Sequence, residues 1–477
     1  MLPWKSIIVV DRTDHRPVYL QISDSIISEI MQGRIKKGMK MPGSRTLAQL
    51  LIVNRKTILQ AYDELMAQGW MEIIPTKGTF IKESLPEIKQ QPLVETSSIE
   101  IINASNEDFS KYEVPRGAHV IDDGTPDYRL APIDLLLKTA RSVSKGSIGK
   151  AVIQGNHFFG EKTLRNGLTN YLSSTRAING SANNILITRG SQMAIYLSFA
   201  TLLKKGDRVI VGELNYHSAD RAIRTSGGQL VKVPVNHEGL DIKAIEKEAQ
   251  QNKIKALYVT PHHQYPTTVT MPVENRMKLL NLAEQYDFHI VEDDYDYDYH
   301  YERSPILPLA SIDRNNRIIY IGSFSKIIVP SVRIGYMFAS EPIIRACGEL
   351  RMIIDKLGDP ILERALAEML RANEIDRFLK KAVNRYKIRR DLFCSTLKAG
   401  LGSAVDFAIP DGGMAMWITF RNIKIEDLIR EAEKIKLSLK IDVYEKKENA
   451  CRLGFASMNE EEIVTNTQIL IQAVRNC

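Results

Sequence analysis

The first seventy residues place apolar side chains at helical spacing. Residues 17–33 carry one apolar face and predict an amphipathic helix. Two shorter helices are predicted after it, over residues 44–51 and 55–68. Ser44 and Asn54 stand where a side chain can accept hydrogen bonds from the first backbone amides of those helices, so we expect each to be an N-cap.

The next residues have the pattern of a short β-hairpin. Residues 70–80 predict two strands joined by a turn at 76–78. Two short helices around a tight turn, followed by a hairpin, predict a winged helix-turn-helix. The N-terminal end of its second helix, the part that reaches the DNA groove, carries Arg55, Lys56 and Thr57, and the hairpin tip carries Lys77. The alternative is a small helical domain with a few surface cations.

A different pattern begins near residue 120. Strand-like apolar runs occupy residues 184–188, 208–213, 230–234, 256–261, 289–294 and 317–323. Helical segments separate many of them, at 161–174, 191–203, 217–226, 241–250 and 273–286. This alternation predicts an α/β fold with a mostly parallel sheet covered on both faces, followed by a smaller C-terminal α/β subdomain. Such folds bind ligands at the carboxyl ends of their strands.

Composition narrows the class of protein. The chain has 477 residues, 44% hydrophobic and 25% charged, which is typical of a globular protein with more than one domain. No apolar run approaches the roughly 18–20 residues of a membrane span. The four cysteines have no CxxC spacing and suggest neither a zinc site nor a disulfide framework, so we expect a cytoplasmic protein.

Positive charge is concentrated near the start. Residues 1–82 contain 12 Lys and Arg against 7 Asp and Glu, a balance of +5 out of +7 for the whole chain. A basic segment favours nucleic acid as a partner, although a solvated charged face is the alternative. We expect a DNA-binding domain over 1–83, a polar linker over 84–119 with a strand at 99–102, and a large domain over 120–477 whose smaller subdomain begins near 345.

Five predicted strands of the large domain are followed by side chains that could bind a ligand or take part in a reaction. In chain order they are Ser191 and Gln192; Tyr216; His263 and Gln264; Asp293 and Tyr295; and Ser323, Ser325, Lys326 and Arg333. Taken singly, each of these residues has an ordinary structural explanation: a surface lysine, a tyrosine that packs in the core, or a charged loop at 292–302. A metal site from the carboxylates and histidines is a further alternative, although no known ligand spacing is present.

The set as a whole fits pyridoxal 5′-phosphate (PLP). A lysine can form a Schiff base with its aldehyde, and a carboxylate can keep its pyridine nitrogen protonated. Serines, an arginine and the amides at a helix N-terminus suit its phosphate. A tyrosine ring can stack on the flat cofactor.

Residues 42–80 resemble the winged helix-turn-helix of the GntR family, through MPGSRTLAQLL, VNRKTILQAYDELMAQGW and KGTF. The resemblance implies binding of double-stranded operator DNA. The positions that it places at the DNA are Arg45, Arg55, Thr57, Lys77, Gly78 and Thr79.

Residues 120–477 resemble the fold-type-I aminotransferases. The resemblance implies that Lys326 is the Schiff-base lysine, Asp293 the partner of the pyridine nitrogen and Tyr295 the partner of the ring oxygen. Tyr216 would stack on the ring. The phosphate would be held by Ser191, Gln192, Ser323, Ser325 and Arg333, whereas His263 and Gln264 match the family only loosely near the ring oxygen.

A GntR-type head on such a body is the plan of the MocR-type regulators, which include the GABA-responsive regulator. The resemblance implies a head-to-tail homodimer. It also implies an arginine after a GFA signature for the effector carboxylate, but Ser457 stands there, and Ser218 replaces a second arginine. We therefore expect the effector to be PLP itself, or an amine or sulfonate gripped differently.

Three functions follow from these patterns. The first is a transcriptional regulator whose PLP-binding domain senses a small molecule. In that regulator the domain would carry out at most a slow half-transamination. The second is an active PLP-dependent aminotransferase that carries a DNA-binding module. The third, a purely structural or protein-binding role, leaves the five strand ends unexplained.

Overall fold

A computed structural model of the chain describes residues 2–85, 117–302, 306–444 and 447–477. The chain divides into two compact units, residues 1–106 and 107–477. The strand predicted at 99–102 lies outside the described residues. No helix in the described ranges is long and apolar enough to cross a membrane.

The N-terminal unit is a winged helix-turn-helix, as predicted. Its elements are α1 (Trp4–Ile7), α2 (Val18–Met31), α3 (Ser44–Leu51), α4 (Arg55–Ala67), β1 (Met71–Ile74) and β2 (Gly78–Ile81). Apolar residues from the three longer helices, among them Ile22, Leu47, Ile58 and Leu65, are fully buried in one core. The two strands pair antiparallel, from Met71 with Ile81 to Ile74 with Gly78.

The two predicted helix caps have different outcomes. The Asn54 side chain accepts a hydrogen bond from the Lys56 amide at 2.9 Å, so this cap is confirmed. The Ser44 cap is wrong, because Gly43 precedes the helix and Ser44 is already its first helical residue. With its backbone helical, the Ser44 hydroxyl accepts from Arg55 Nε at 3.3 Å instead.

The large unit is built on a seven-stranded sheet. Its strands in chain order are β4 (Ile185–Thr188), β5 (Arg208–Gly212), β6 (Gln229–Val233), β9 (Ile254–Val259), β10 (His289–Asp294), β11 (Ile318–Ser323) and β12 (Gly335–Phe338). Their spatial order is β4-β12-β11-β10-β9-β5-β6. Only β12 runs antiparallel to its neighbours, so the mostly parallel sheet is confirmed.

Helices cover both faces of this sheet. They are α5 (Ile133–Val143), α6 (Gly146–Gln154), α7 (Lys162–Arg176), α8 (Ser191–Leu202), α9 (His217–Thr225), α10 (Ile242–Gln251), α11 (Val273–Gln285), α12 (Glu341–Ile354) and α13 (Pro360–Arg371). Successive strand residues enter different cores: Ile290 packs in one apolar cluster and Val291 in the other. Strands buried on both faces explain why their sequences read as continuous apolar runs.

The C-terminal part is a smaller α/β subdomain reached through the long helix α14 (Glu374–Leu401). It contains β13 (Val405–Asp406), β14 (Ala415–Phe420), α15 (Ile425–Lys434), β15 (Leu437–Leu439), β16 (Ala450–Gly454) and α16 (Glu460–Asn476). An early strand, β3 (His119–Ile121), pairs parallel with β15. A two-stranded hairpin, β7 (Val235–Asn236) with β8 (Gly239–Leu240), completes the unit.

Candidate functional site

The five strand ends singled out in the sequence lie at one edge of the central sheet. Strands β5, β9, β10 and β11 run parallel to one another, and β4 shares their direction because two antiparallel pairings separate it from β11. Their carboxyl ends therefore meet, and the side chains that follow them face a common region.

Asp293, near the end of β10, is a buried acid whose pKa is affected by the charge of Lys326. Its side chain is 3% exposed, and its Oδ2 accepts a hydrogen bond from the Tyr258 hydroxyl at 2.7 Å. Its other oxygen, Oδ1, is buried and has no partner among the described residues. Burial raises the pKa of Asp293 to about 7, with Asp294 and Asp296 acting in the same direction and the Tyr258 hydrogen bond and Lys326 opposing it.

Lys326 lies in the loop that follows β11. Its amine donates to the Gly124 carbonyl at 2.6 Å, and its own carbonyl accepts from the Tyr299 hydroxyl at 2.8 Å. Gly124 has φ +109°, and a Cβ there would lie 2.9 Å from Ala415 Cβ. Only glycine therefore brings this carbonyl against the lysine without strain.

A polar cradle lies beside them, where α8 begins. Gly190 has φ +80°, and a Cβ on it would come within 3.0 Å of the Arg333 guanidinium. The Ser323 hydroxyl accepts from the Ser325 amide at 3.1 Å, while the Ser325 hydroxyl is buried without a partner in the described ranges. Ser191 opens the helix, so its exposed amide dipoles point toward this cradle.

Not every predicted contact has the expected direction. The Gln192 side-chain amide donates to the Ser218 carbonyl at 3.4 Å. The Tyr295 hydroxyl donates to the His263 carbonyl at 2.9 Å. His263 Nδ1 lies 2.7 Å from Asp296, while the buried Gln264 Oε1 has no partner among the described side chains.

Aromatic rings form one side of the region. Tyr216 and Tyr265 meet edge to face with ring centroids 5.2 Å apart, and Tyr265 meets Tyr295 in the same way at 6.4 Å. A metal site was the alternative for the carboxylates and histidines. In the described part of the chain, no group of three or more His, Cys, Asp or Glu side chains is placed so that it could hold a metal ion.

The N-terminal unit presents cations on one surface. Arg45 and Arg55 line a shallow groove between α3 and α4, together with Asn54. Arg55 and Lys56 are exposed at the start of α4, and Thr57 is half-buried. At the hairpin, Lys77 and Gly78 are exposed and Thr79 is half-buried.

The sequence analysis missed a further cation at this hairpin. Lys40 forms a bridge with Phe80, and its amine lies 5.9 Å from the centre of that ring. A Cβ on Gly78 would lie 3.2 Å from Lys40 Cε. Lys40 thus adds a positive charge next to the hairpin tip that carries Lys77. In the sequence, Lys40 is only a lysine four residues before the first helix of the motif, and nothing in the pattern links it to the hairpin.

Each of the two units matches a family of known proteins. The family described as aminotransferase class I and II matches residues 125–466, well over half of the chain. The chain belongs to this family. The family of bacterial regulatory proteins, gntR family, matches residues 18–81, so the aminotransferase-like body carries a GntR-type head in the MocR-type arrangement.

Two regulators align with this chain over most of their length. The chain is 29% identical to the uncharacterized HTH-type transcriptional regulator YdfD of Bacillus subtilis, over 94% of each chain. It is 26% identical to the probable rhizopine catabolism regulatory protein MocR of Rhizobium meliloti, over 89% of this chain and 86% of that protein. Among solved structures, kynurenine aminotransferase of Pyrococcus horikoshii, in complex with PMP, has a TM-score of 0.70 and 26% identity over 75% of this chain and 91% of that one.

The residues of this class I and II site fit pyridoxal phosphate. Asp293 Oδ1, buried and unpartnered, offers an acceptor for a protonated ring nitrogen. The Ser325 hydroxyl, the start of α8 and Arg333 offer donors for a phosphate, and Gly190 leaves the room that a Cβ would fill. When bound, this cofactor supplies an electron-withdrawing ring and an aldehyde that a lysine can hold covalently.

The site also contains an arginine that the sequence analysis missed. Arg452, in β16, is 3% exposed and lies over the rings of Tyr265 and Tyr295, 5.1 and 5.8 Å from their centres. Its Nε donates to the Asp123 carbonyl at 2.8 Å. Ser457 and Ser218 stand at the two positions where the resemblance implies an arginine, and Arg452 brings a guanidinium to this region from a different position. A charged residue inside the apolar run ACRLGFA was the available signal.

Proposed function

We propose that the chain is a PLP-dependent, DNA-binding transcriptional regulator whose aminotransferase-like unit senses a small molecule. The observation that carries the proposal is one chain with both a cation-bearing winged helix-turn-helix and a buried Asp293, whose Oδ1 has no hydrogen-bond partner among the described residues and whose pKa the Lys326 charge lowers. The regulator names of full-length relatives support the same assignment.

Each site residue has a definite task in this proposal. Lys326 holds the cofactor aldehyde, Asp293 Oδ1 accepts the pyridine N–H, and Tyr216 stacks on the ring. Tyr258 keeps the Asp293 carboxylate oriented through its hydroxyl. Ser191, Ser323, Ser325 and Arg333 hold the phosphate, with Gln192 at its margin. The proposal assigns Tyr295 and Gln264 to the ring oxygen, and both would have to turn toward it from the His263 and Tyr265 carbonyls, to which they now donate.

The proposed output is a change in DNA affinity. A ligand shifts a two-state equilibrium only if it binds one state better than the other, so occupancy of the site must favour one arrangement of the heads. At the DNA, the proposal assigns contacts to Arg45, Arg55, Lys56, Thr57, Lys77, Gly78 and Thr79. We further propose a head-to-tail homodimer in the cytoplasm, because two heads match two operator half-sites.

The effector in this proposal is PLP itself or a small amine. Arg452 removes the argument against carboxylate-bearing amines, since a guanidinium is the usual partner of a carboxylate. The same arginine favours the second candidate, an aminotransferase with slow turnover. The two candidates differ in what a keto acid does: a regulator needs no second substrate.

Two measurements test the proposal together. Borohydride reduction of the PLP-treated protein should leave the cofactor on the peptide that contains Lys326, and Lys326→Ala should leave none. DNA selected from a randomised pool should be bound by the full chain and lost with Arg55→Ala, whereas Lys380→Ala, on the large unit, is the matched control. Sustained conversion of an amino acid and a keto acid, without any DNA selection, would support the aminotransferase instead.

A further inference from the structure

The turn between α3 and α4 contains an isoleucine in an uncommon backbone conformation. Ile52 directly follows α3 and has φ 54° and ψ 47°, in the left-handed region. Its amide donates to the Gln49 carbonyl at 3.4 Å. The next amide, that of Val53, donates to the Ala48 carbonyl at 3.1 Å. This pair of hydrogen bonds ends many helices, and the left-handed residue in it is most often glycine, because a β-branched side chain is strained at positive φ.

Burial of the Ile52 side chain does not compensate for this strain. Ile52 is 68% exposed, so its apolar surface contributes little to the core of the head. A single exposed apolar residue is ordinary, but one that also strains the backbone weakens the fold without a packing gain. Glycine at this position would relieve the strain and bury more or less the same core. We therefore look for the role of this side chain in what the head binds.

The position of Ile52 indicates the partner. Arg45, Gln49 and Ile52 follow the spacing of one helix face, and all three line the groove that Arg55 also lines. The proposed function assigns Arg45 and Arg55 to DNA, so Ile52 shares this surface with two proposed DNA contacts. An isoleucine side chain has no hydrogen-bonding group. The apolar group that DNA offers in its major groove is the C5-methyl group of thymine.

The backbone of Ile52 is held from outside the helix-turn-helix. Arg12 Nη2 donates to the Ile52 carbonyl at 2.8 Å. Arg12 belongs to the segment that precedes α2, and this segment is anchored because Trp4 and Ile8 are buried in the core of the head. The hydrogen bond opposes relaxation of the turn. It thus helps to keep the Ile52 side chain at the groove.

We propose that Ile52 is a specificity-determining residue that contacts the methyl group of a thymine in the operator. The inference rests on the proposed DNA-binding function. It goes beyond that function because it adds an apolar contact to the cationic ones and names the base that this contact recognises.

Replacement of thymine by deoxyuridine gives a direct test, since the two bases pair alike and differ only in the C5-methyl group. DNA selected from a randomised pool by the full-length protein is resynthesised with deoxyuridine at one thymine position at a time. Fluorescence anisotropy then measures the affinity of the full-length protein for each DNA. We expect one position at which the loss of the methyl group weakens binding about fourfold, the effect of exposing one apolar carbon.

Variants of the protein show whether Ile52 makes this contact. Ile52→Gly and Ile52→Asn both remove the apolar side chain, and both residues accept positive φ, so the head should keep its fold by circular dichroism. At the sensitive position, each variant should bind the thymine and deoxyuridine DNAs equally. Val9→Ala is the matched control, because Val9 is a similarly exposed apolar residue of the head, 70% exposed, and this variant should keep the fourfold difference.

The possible failures are distinguishable. The inference is overturned if no thymine position is sensitive, or if the sensitive position responds equally in the wild type and in both Ile52 variants. It is also overturned if the Ile52 variants bind all DNAs more weakly by the same factor, since that effect does not depend on the methyl group. If the wild type selects no DNA from the pool, the proposed function fails instead.

Discussion

Replacing Asp293 with Asn should have opposite effects on stability and on cofactor binding. The carboxyl has an ordinary pKa of 3.8, and burial raises it to about 7. A carboxyl whose pKa is raised on folding contributes stability at low pH and loses it as pH rises through the folded value. At pH 8 the cofactor-free protein therefore bears the cost of a buried, ionised Asp293.

The size of this cost follows from the pKa. A change from 3.8 to about 7 corresponds to about 4 kcal/mol, at 1.36 kcal/mol for each pH unit. An amide in the same place is neutral but still has a group without a partner, so we expect a gain of about 1–3 kcal/mol at pH 8. At pH 5 the folded wild type is mostly protonated at Asp293, and the gain should nearly vanish. With cofactor present, loss of the charged hydrogen bond should lower affinity by about 1.5–3 kcal/mol.

Denaturant unfolding of the cofactor-free protein at pH 5 and pH 8 measures the first effect, and absorbance titration with PLP measures the second. Asp294→Asn is the matched control on the same strand. Burial alone would raise the pKa of Asp294, but His262, Arg176 and the Tyr320 hydroxyl hold it at about 2. Its ionised form stabilises the fold above its ordinary pKa, so this variant should be less stable at both pH values. The reasoning is refuted if Asp293→Asn is also less stable than wild type at pH 8.

Three further variants test other parts of the account. Tyr258→Phe removes the hydroxyl that donates to Asp293, so the pH at which the cofactor-free protein loses stability should move upward in denaturation measured across pH. Gly124→Ala should destabilise by about 1–3 kcal/mol more than Gly206→Ala, because both have positive φ but only Gly124 has a neighbour where the Cβ would lie; equal losses in thermal unfolding would contradict this. Lys40→Ala should weaken DNA binding with little dependence on sequence and reduce the salt slope by about one, and an unchanged slope in fluorescence anisotropy would exclude a phosphate contact.

Local patterns were sufficient for most of the secondary structure. Amphipathic helices and doubly buried strands repeat at fixed periods, and these periods are visible in the sequence. Asp293 and Lys326 were predicted as site residues for the same reason, because each lies at or just beyond the end of a recognisable strand. The Asn54 cap was predicted from a single side chain, but the Ser44 cap failed because the helix begins one residue earlier, with Gly43 as its N-cap.

Long-range partners were not visible in the sequence. Strand β3 pairs with β15, more than three hundred residues later in the chain, and no periodicity in the sequence predicts such a pairing. Arg452 belongs to a strand of the smaller subdomain, and only tertiary packing brings it over Tyr265 and Tyr295. Which oxygen of Asp293 lacks a partner likewise depends on the neighbouring strand, because Tyr258 on β9 takes the other one.

The central claim is that the site at Lys326 controls the DNA affinity of the head. The most direct measurement is the affinity of the full-length protein for its selected DNA, by fluorescence anisotropy, with and without PLP, for the wild type and Lys326→Ala. The account predicts that PLP changes the wild-type affinity by about fivefold or more and leaves the Lys326→Ala affinity unchanged. Equal responses of the two proteins, or no response of the wild type to PLP or to any amine, would contradict it.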